Sequence, residues 1–306
     1  MILLKKIVTI TLNPAFDVHC AMESFIPFSE NYANDKSRFI GGKGINVSRA
    51  LNSLGIESEA ICVIGKENGE DFLNQANQEG LRITPVFAKG CIRENLTIHS
   101  TDKKETRISF EGFECSEEIL KKVGSLIEAD KDTIVAFCGR LPKGISKTSA
   151  VEFLKGIRNK GAFLVVDCNS FNLAELCEIK PSLIKPNETE ILQFSNGESL
   201  IDTAKMLNSK GIKHVIISCG SDGGIYASNT LCAKISVPKI NVVSTIGAGD
   251  STIAGFIYSL YNGKSITDSL IFGFSTGSAA CLTEGTTPPK ETQILKIIKD
   301  VKLDIL

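Results

Sequence analysis

Short apolar runs alternate with amphipathic segments along most of the chain. Runs rich in Val, Ile and Leu have the length of buried strands at residues 6–12, 60–64, 133–137, 162–167, 182–185 and 214–218. Between them, apolar positions recur at helical spacing in segments that stop at a glycine, such as 147–160 and 200–210. Strands that are apolar on both faces and are joined by helices predict a mostly parallel sheet with helices on both faces.

Two regions depart from this alternation. Residues 92–100 and 105–110 predict consecutive antiparallel strands without a helix between them, and residues 222–227 and 231–237 predict a β-hairpin. No repeat, low-complexity tract or linker divides the chain. We therefore expect a single α/β domain over residues 1–306 with a small β accessory, and ligands at the carboxyl ends of its parallel strands.

Composition and charge exclude several classes of protein. The chain has 306 residues, and its 34 Lys and Arg against 35 Asp and Glu give a net charge of −1 without a basic stripe, which argues against a nucleic-acid partner. Lys5 and Lys6 interrupt the apolar start, and no stretch approaches the roughly 18 apolar residues of a membrane span. The sequence therefore predicts a cytoplasmic protein with neither a membrane nor a nucleic-acid partner.

Cysteine spacing argues against disulfides and zinc. The ten cysteines contain no C-x-x-C pair, and the three histidines are scattered. Several cysteines, such as Cys62 and Cys138, lie in apolar runs, where a thiol packs as a small hydrophobic group. Reduced cysteines in the core are therefore favoured over a disulfide framework or a metal site.

The strongest local signal is Gly247-Ala248-Gly249-Asp250, directly before the helical run 251–261. Glycines let the backbone approach a ligand, and a helix start offers free N–H groups and the positive end of the helix dipole, so the segment fits an anion site. Asp250 fits a general base that takes a proton from a hydroxyl during phosphoryl transfer. A tight turn in which Asp250 only caps the helix fits the pattern equally well.

A second glycine loop opens a predicted helix with Gly41-Gly42-Lys43-Gly44 and Asn46. The loop has neither the spacing of a Walker A motif nor the third small residue of a dinucleotide fingerprint. It suits an anion beside Lys43, and the Asn46 amide suits sugar hydroxyls. A plain helix start with a solvated lysine is the alternative, and it is the favoured interpretation of this loop taken alone.

Two further segments follow predicted strands. Asn187 and Glu190, three residues apart at a helix start, offer oxygen ligands suited to a water-rich Mg²⁺ ion. The same spacing is that of a capping box. The segment 218–223 contains a glycine turn that fits either a nucleotide phosphate or a turn without a ligand.

Taken in chain order, these segments resemble those of the ribokinase-type carbohydrate kinases, in particular their phosphofructokinase-B branch. The resemblance spans nearly the whole chain and rests on residues 11–17, 41–46, 185–190, 218–223 and 247–250. The loops around Lys43 and Asp250 are most similar to those of the 1-phosphofructokinases and, next, of the tagatose-6-phosphate kinases.

The resemblance implies a ribokinase-like fold with a β lid inserted from about residues 13–40 and 91–111. It implies an enzyme that uses ATP and Mg²⁺ to phosphorylate a ketohexose monophosphate. Conversion of fructose 1-phosphate to fructose 1,6-bisphosphate is favoured, and tagatose 6-phosphate is the alternative acceptor. The resemblance is also compatible with a homodimer.

Roles for individual residues also follow from the resemblance. Asp250 corresponds to the general base of the family, and Gly247, Ala248 and Gly249 correspond to the anion hole beside that base. The family residues that contact the sugar and its phosphate correspond here to Asp17, Gly41, Gly42, Lys43, Asn46, Arg93 and Asn95. The family residues that contact the nucleotide correspond to Lys185, Asn187, Ser218, Gly220 and Gly223. Glu190 corresponds to a family residue that holds Mg²⁺ through water.

One position departs from the family pattern. Relatives carry Ser-Gly-Ser-Leu-Pro where this chain has Cys138-Gly139-Arg140-Leu141-Pro142. Arg140 either binds the substrate phosphate as a bidentate hydrogen-bond donor or points to solvent. In the second case the pocket lacks the serine hydroxyl that relatives have at this position. The first interpretation is favoured, and the identity of the sugar depends on this position.

Two other classes of function compete with the kinase. An oxidoreductase on a doubly wound sheet is disfavoured by the missing third small residue after Gly44. A non-catalytic sugar-phosphate sensor on a kinase fold is disfavoured by the intact segment 247–250, because a protein that only binds does not need Asp250. Consumption of ATP distinguishes the kinase from both.

Overall fold

A ten-stranded sheet forms the centre of the described chain, and a separate four-stranded sheet accompanies it. The computed structural model describes residues 4–101, 105–195 and 197–306. In chain order the strands are β1 (Lys6–Thr11), β2 (Ala15–Met22), β3 (Asp35–Gly41), β4 (Glu59–Gly65), β5 (Ile83–Ala88), β6 (Arg93–Ser100), β7 (Glu105–Ser109), β8 (Thr133–Cys138), β9 (Phe163–Asp167), β10 (Leu183–Ile184), β11 (His214–Ser218), β12 (Gly224–Ser228), β13 (Cys232–Ser236) and β14 (Lys302–Ile305).

Most of the remaining chain is helical. In chain order the α-helices are α1 (Lys43–Ser53), α2 (Gly69–Gln78), α3 (Glu117–Leu126), α4 (Lys147–Asn159), α5 (Leu173–Ile179), α6 (Glu188–Leu192), α7 (Leu200–Ser209), α8 (Ala248–Tyr261), α9 (Ile266–Ala280) and α10 (Glu291–Ile297). Short 3₁₀ turns occupy Gly220–Asp222 and Ile298–Asp300. Within the described ranges, no helix is long and apolar enough to cross a bilayer. The apolar residues 1–3 lie outside these ranges.

The strand order of the large sheet locates its ligand-binding edge. The strands from β11 through β10, β9, β8, β1 and β4 to β5 are mutually parallel, and β12, β13 and β14 continue antiparallel beyond β11. The chain runs from β1 to β4 and β5 on one side and then returns to β8 on the other. Because the order reverses between β1 and β8, a crevice opens at their carboxyl ends.

Helices cover both faces of this sheet. Successive residues of a strand point to opposite faces. Ile134 accordingly belongs to the same core cluster as Phe256 of α8, and Val135 belongs to a second cluster that includes Leu154 of α4. All four side chains are buried. This double burial explains why the strands are apolar along their whole length, and the predicted fold class is confirmed.

The smaller sheet has the order β3-β2-β6-β7. Strands β2 and β6 are parallel, and their register places Asp17 opposite Asn95. On the opposite face of β2, Phe16 is buried and meets Phe72 of α2 edge to face, with ring centroids 5.5 Å apart. This contact anchors the smaller sheet against the helical layer. Asp17 therefore lies on the face turned away from that anchor.

Most predicted elements are found within a few residues of their expected bounds. The predicted antiparallel pair is β6 and β7, and the predicted hairpin is β12 and β13. The smaller sheet falls within the predicted lid range, of which residues 102–104 lie outside the described residues. Strands β5 and β14 were not predicted from the sequence, and β2 and β3 were covered only by the predicted lid range. Pro85 weakens the strand signal of β5, which lies at the sheet edge where proline is tolerated.

A histidine of β11 is held in the core region as a neutral ring. His214 Nδ1 lies 2.7 Å from the Tyr226 hydroxyl, and the His214 ring packs between the rings of Tyr226 and Phe163. Burial, with a smaller contribution from the Lys213 ammonium, lowers the pKa of His214 to about 4. The unfolded chain binds a proton at this histidine below about pH 6.5, whereas the folded chain does not bind one until about pH 4.

We expect His214 to make the protein less stable as the pH falls from 6.5 to 4, because the unfolded state binds more protons in that window. The free energy of unfolding should be about 2 kcal/mol smaller at pH 5 than at pH 7 on account of this imidazole. Urea denaturation at both pH values measures the difference. In His214→Phe, which keeps an aromatic ring, most of the difference should disappear, and an unchanged difference would contradict this account.

Candidate active site

Charged residues, three of them buried and Lys43 half-buried, converge at the carboxyl ends of the parallel strands. Lys43 begins α1, Asp167 ends β9, Lys185 follows β10 and Asp250 lies in the first turn of α8. Lys43 Nζ lies 3.1 Å from Asp167 Oδ2. Lys185 is 5% exposed, and its Nζ lies 3.0 Å from the position that a Cβ on Gly249 would occupy. Two ammonium groups and two carboxylates therefore meet at one edge of the sheet.

Asp250 is 7% exposed, and its Oδ2 accepts a hydrogen bond of 2.8 Å from Asn46 Nδ2. Burial, together with the Asp167 carboxylate, raises the pKa of Asp250 to about 6. The opposing influences are Lys43, the Asn46 hydrogen bond and Lys185, which favour the ionised form. Asp250 is consequently ionised for the most part at pH 7 and able to accept a proton.

The start of α8 is open to an anion. Gly247 precedes the helix in the left-handed region, with φ of 77°, and no side chain caps this end. The capping interpretation of Asp250 is therefore not what the structure shows, since its carboxylate is bound by Asn46. The helix start, the backbone at Gly249 and the Lys185 ammonium together favour a negatively charged group beside Asp250.

Lys43 remains charged despite its surroundings. Burial lowers the pKa of Lys43, but the carboxylates of Asp167 and Asp250 raise it by more, so the net shift is upward. Glu190 acts in the same direction, which places that carboxylate on the same side of the site. Lys43 is thus a permanent cation between the glycine loop and the strand ends.

A second group of predicted residues lies on the smaller sheet. Asn95 Nδ2 donates to Asp17 Oδ1 at 2.8 Å, and Arg93 Nη1 donates to Asn95 Oδ1 at 3.0 Å. The Asp17 carboxylate lies directly over Gly41, at the place where any larger residue would put its Cβ. A glycine at position 41 is therefore required for Asp17 to adopt this position.

Arginine side chains surround this group. Arg107 Nη2 lies 3.5 Å from Asp17 Oδ1. Burial lowers the pKa of Arg93 and the Asp17 carboxylate opposes this, whereas the guanidinium groups of Arg140 and Arg107 lower it further. Within the described chain, Arg140 has no hydrogen-bond or ion-pair partner, and the buried Nε of Arg93 has no hydrogen-bond partner. Arg107 and Arg140 are exposed, so solvent screens their charges. The three guanidinium groups still favour an anion on this side of the smaller sheet, such as a phosphate.

The predicted nucleotide segment forms one continuous surface. Asn187 and Ser218 pair across neighbouring chain segments, and the turn Gly220–Asp222 follows, with Gly223 closing it through a hydrogen bond to Cys219. Asn187 Oδ1 accepts from Glu190 N at 2.8 Å, and Glu190 Oε2 accepts from Asn187 N at 3.0 Å. The capping-box interpretation of this pair is therefore confirmed. It leaves Glu190 Oε1 available for another role.

The surroundings of Glu190 include a second carboxylate and a small cavity. Asp167, Lys185 and Glu190 border a cavity of about 20 Å³, which is the space of one water molecule. Among the described residues, no three histidine, cysteine or carboxylate side chains form a group that could enclose a metal ion. Mg²⁺ does not need such an enclosure, because it keeps several waters and binds through one or two carboxylates and substrate phosphates.

A larger cavity adjoins the site. Its volume is about 830 Å³, and it lies under the face of the smaller sheet that carries His19 and Phe39, against the loop segments 243–246 and 284–288. His19 is two residues from Asp17 in β2 and shares its face. Asp250 and Lys43 do not line this cavity, whereas Arg49 of α1 does. Arg49 therefore connects the cavity to the Asp250 centre, because it binds Asn46, which binds Asp250.

Sequence reasoning missed several residues of the site. Asp167 ends the buried strand β9, at the kind of position where ligands are expected, but no motif around it distinguishes it from an ordinary strand end. Arg107 lies in β7 without a motif around it, and Arg49 lies in the predicted helix as an ordinary polar position. The acidic partners of both arginines, Asp17 and Glu79, come from distant parts of the chain. The three-residue spacing of Asn46 and Arg49 on a predicted helix is the one local signal that was available.

Comparisons with known proteins agree with this geometry. A model of the pfkB family of carbohydrate kinases matches residues 12–293. The chain is 36% identical over 286 residues to the 1-phosphofructokinase of Borreliella burgdorferi, covering 90% of this chain and 92% of that protein. It is 30% identical over 308 residues to the 1-phosphofructokinase of Bacillus subtilis, covering 97% and 99%. The structure of phosphofructokinase-2 from Escherichia coli in complex with substrates and products matches with a TM-score of 0.88 at 25% identity, covering 96% and 99%.

The family match over residues 12–293 includes the smaller sheet, most of the large sheet and the loops that carry the charged residues described above. It confirms the family that the sequence motifs predicted, together with phosphotransfer as the class of reaction. The roles of individual residues stay predictions. The chain belongs to the pfkB family of carbohydrate kinases.

Proposed function

We propose that the protein transfers the γ-phosphoryl group of ATP to a ketohexose monophosphate, and that fructose 1-phosphate is the acceptor. The observation that carries this proposal is a buried, ionised Asp250 beside an open helix start, together with a separate arginine cluster, Arg93 and Arg140, whose donors are incompletely paired. The first feature suits a hydroxyl that receives a phosphoryl group, and the second suits a phosphate already on the sugar. The names of the relatives in Borreliella burgdorferi and Bacillus subtilis support fructose 1-phosphate.

Asp250 is the general base of this proposal. Asn46 occupies Oδ2 of the carboxylate, which leaves Oδ1 for the proton of the sugar hydroxyl. The N–H groups at the start of α8 and the Lys185 ammonium stabilise the negative charge on the transferred group. The sugar oxygen forms its bond to phosphorus while ADP leaves, and the hydroxyl proton passes to Asp250.

The arginine cluster holds the other end of the sugar phosphate. Arg93 and Arg140 supply donors that lack partners in the described chain, and Lys43 adds a charge between the phosphate and Asp250. Asp17, fixed by Asn95 and Arg107, is placed to accept a hydrogen bond from a sugar hydroxyl. Gripping both ends of the substrate fixes the distance between its acceptor hydroxyl and the base.

The nucleotide is assigned to the surface formed by Lys185, Asn187, Ser218, Gly220 and Gly223. Lys185 connects this surface to Asp250 through its position against Gly249. Mg²⁺ would be held near Glu190 through water, where it neutralises charge on the nucleotide phosphates. Closure of the smaller sheet over the sugar as a lid, a homodimer and a cytoplasmic location stay predictions.

We expect Mg-ATP and fructose 1-phosphate to give rapid ADP release in a coupled assay, with much lower rates for fructose 6-phosphate and unphosphorylated fructose. Unphosphorylated fructose leaves the arginine cluster without its anion, so the kcat/KM for this sugar should be lower by two or more orders of magnitude. A loss of this size corresponds to about two charge-assisted hydrogen bonds. A preference for tagatose 6-phosphate would replace the acceptor and keep the mechanism. Sugar-phosphate binding without ADP release would contradict the kinase and favour the sensor.

Asp250→Asn should keep sugar-phosphate binding and lose about two to four orders of magnitude in kcat, because an amide cannot accept the hydroxyl proton. Steady-state kinetics give kcat, and isothermal titration with the sugar phosphate gives Kd. The exposed Asp304→Asn in β14 is the matched control and should behave as the wild type. An Asp250→Asn variant that retains most of the wild-type kcat would exclude Asp250 as the base.

Arg140→Ser restores the residue usual in relatives and tests whether Arg140 binds the substrate phosphate. We expect KM for the phosphorylated sugar to rise about 10- to 100-fold with a smaller change in kcat, on the scale of one charge-assisted contact. Arg158→Ser, on the exposed side of α4, is the control for loss of a surface arginine. An unchanged KM in Arg140→Ser would show that Arg140 points to solvent.

A further inference from the structure

Arg49 of α1 is a buried guanidinium without an assigned role. It is 9% exposed. Its Nε donates to Glu79 Oε2 at the end of α2 at 2.6 Å, and its Nη2 donates to the backbone carbonyl of Ile40 at 2.7 Å. Its Nη1 donates to Asn46 Oδ1 at 2.7 Å and to the Thr286 hydroxyl at 3.3 Å. Each of its nitrogens therefore has a defined partner.

The contact with Asn46 fixes which way that amide points. Residues 46 and 49 are three apart in α1 and share one face of the helix. A guanidinium has donors and no acceptor, so the Asn46 group that faces Arg49 must be the carbonyl oxygen. The amide nitrogen of Asn46 must then face Asp250, to which it donates at 2.8 Å. Turning the amide over would set donor against donor at Arg49 and oxygen against carboxylate at Asp250.

This orientation governs how Asp250 presents its carboxylate. Donation from Asn46 occupies Oδ2, which leaves Oδ1 for a substrate proton. The same hydrogen bond favours the ionised carboxylate against the effect of burial. Other charged or titratable groups that face Asp250 are Lys43 on α1, Asp167 on β9, Lys185 after β10 and Cys138 on β8. None of these groups changes in the variants described below.

We propose that Arg49 is a positioning residue for phosphoryl transfer, which fixes the Asn46 amide so that Asn46 orients Asp250 as the base. The proposal rests on the proposed function, because it takes Asp250 as the base. A purely structural Arg49 would tie together α1, α2 and the end of β3 at Ile40. That role affects the stability of the fold and leaves the ionisation of Asp250 unchanged.

The test is the acid limb of kcat against pH, measured at saturating ATP and fructose 1-phosphate, which reports ionisation in the enzyme–substrate complex. In Arg49→Met the Asn46 amide is no longer fixed, so its hydrogen bond to the Asp250 carboxylate is weakened. We expect this limb to move to higher pH by about one unit, because that hydrogen bond favours the ionised form. Asn46→Ala should move it by a similar amount. In the double variant Arg49→Met/Asn46→Ala, the limb should move no further than in Asn46→Ala.

Glu79→Gln is the matched control. It weakens the ion pair that Arg49 makes at its Nε and keeps the contact to Asn46, so the protein should lose thermal stability without a shift of the acid limb. If Arg49→Met fails to fold, Arg49→Met/Glu79→Gln removes the guanidinium without leaving an unpaired carboxylate. Circular dichroism and the Tm establish which variants are folded.

Two results would overturn the proposal. One is an unshifted acid limb in a folded variant that lacks Arg49. The other is a further shift on adding Arg49→Met to Asn46→Ala, since Arg49 would then act on Asp250 through its charge and not through the amide. If the wild type does not phosphorylate sugar phosphates, the proposed function fails by itself. The Asp250 pKa, followed by ¹³C NMR of aspartate-labelled protein and assigned with Asp250→Asn, then tests the same shifts without activity.

Discussion

Asp250 is buried at the first turn of α8, where burial and the nearby Asp167 carboxylate both favour its protonated form. A proton acceptor at neutral pH needs the opposite, so the surrounding groups must favour the ionised carboxylate. Asn46 donates a hydrogen bond, and Lys43 and Lys185 supply positive charge. These three groups come from α1 and the end of β10, and they meet Asp250 only when the sheet brings the strand ends together. The ionisation of one carboxylate thus depends on the arrangement of the whole carboxyl edge.

The site separates its charges into two regions. The carboxylates of Asp167 and Asp250, with their lysines, lie at the strand ends, whereas Arg93 and Arg107 lie on the smaller sheet, with Arg140 close to Arg93. A substrate that carries a phosphate at one end and a free hydroxyl at the other fits this separation. Binding at both ends places the hydroxyl without further adjustment, which lowers the entropic cost of reaching the transition state.

Arg49 connects the two regions mechanically. Its guanidinium binds the carbonyl of Ile40, where β3 leaves the smaller sheet, and the amide of Asn46, which binds Asp250. The Arg49 side chain therefore links the end of β3 to Asn46, and through Asn46 to Asp250, the proposed proton acceptor. Burying a guanidinium costs free energy unless its donors form hydrogen bonds. In Arg49 each nitrogen has a partner, which offsets this cost.

The sequence alone determined the fold class, the family and most of the residues brought together, because strands buried on both faces and glycine loops at helix starts leave local patterns. It left open whether Asn187 and Glu190 form a capping box and whether Asp250 caps α8, and the structure answered yes to the first and no to the second. Asp167, Arg49 and Arg107 were missed. Lys43 pairs with Asp167 across 124 positions, and Asn46 pairs with Asp250 across 204. Only the tertiary structure decided these pairs, because spacing along the chain does not specify which strand ends become neighbours or how deeply each charge is buried.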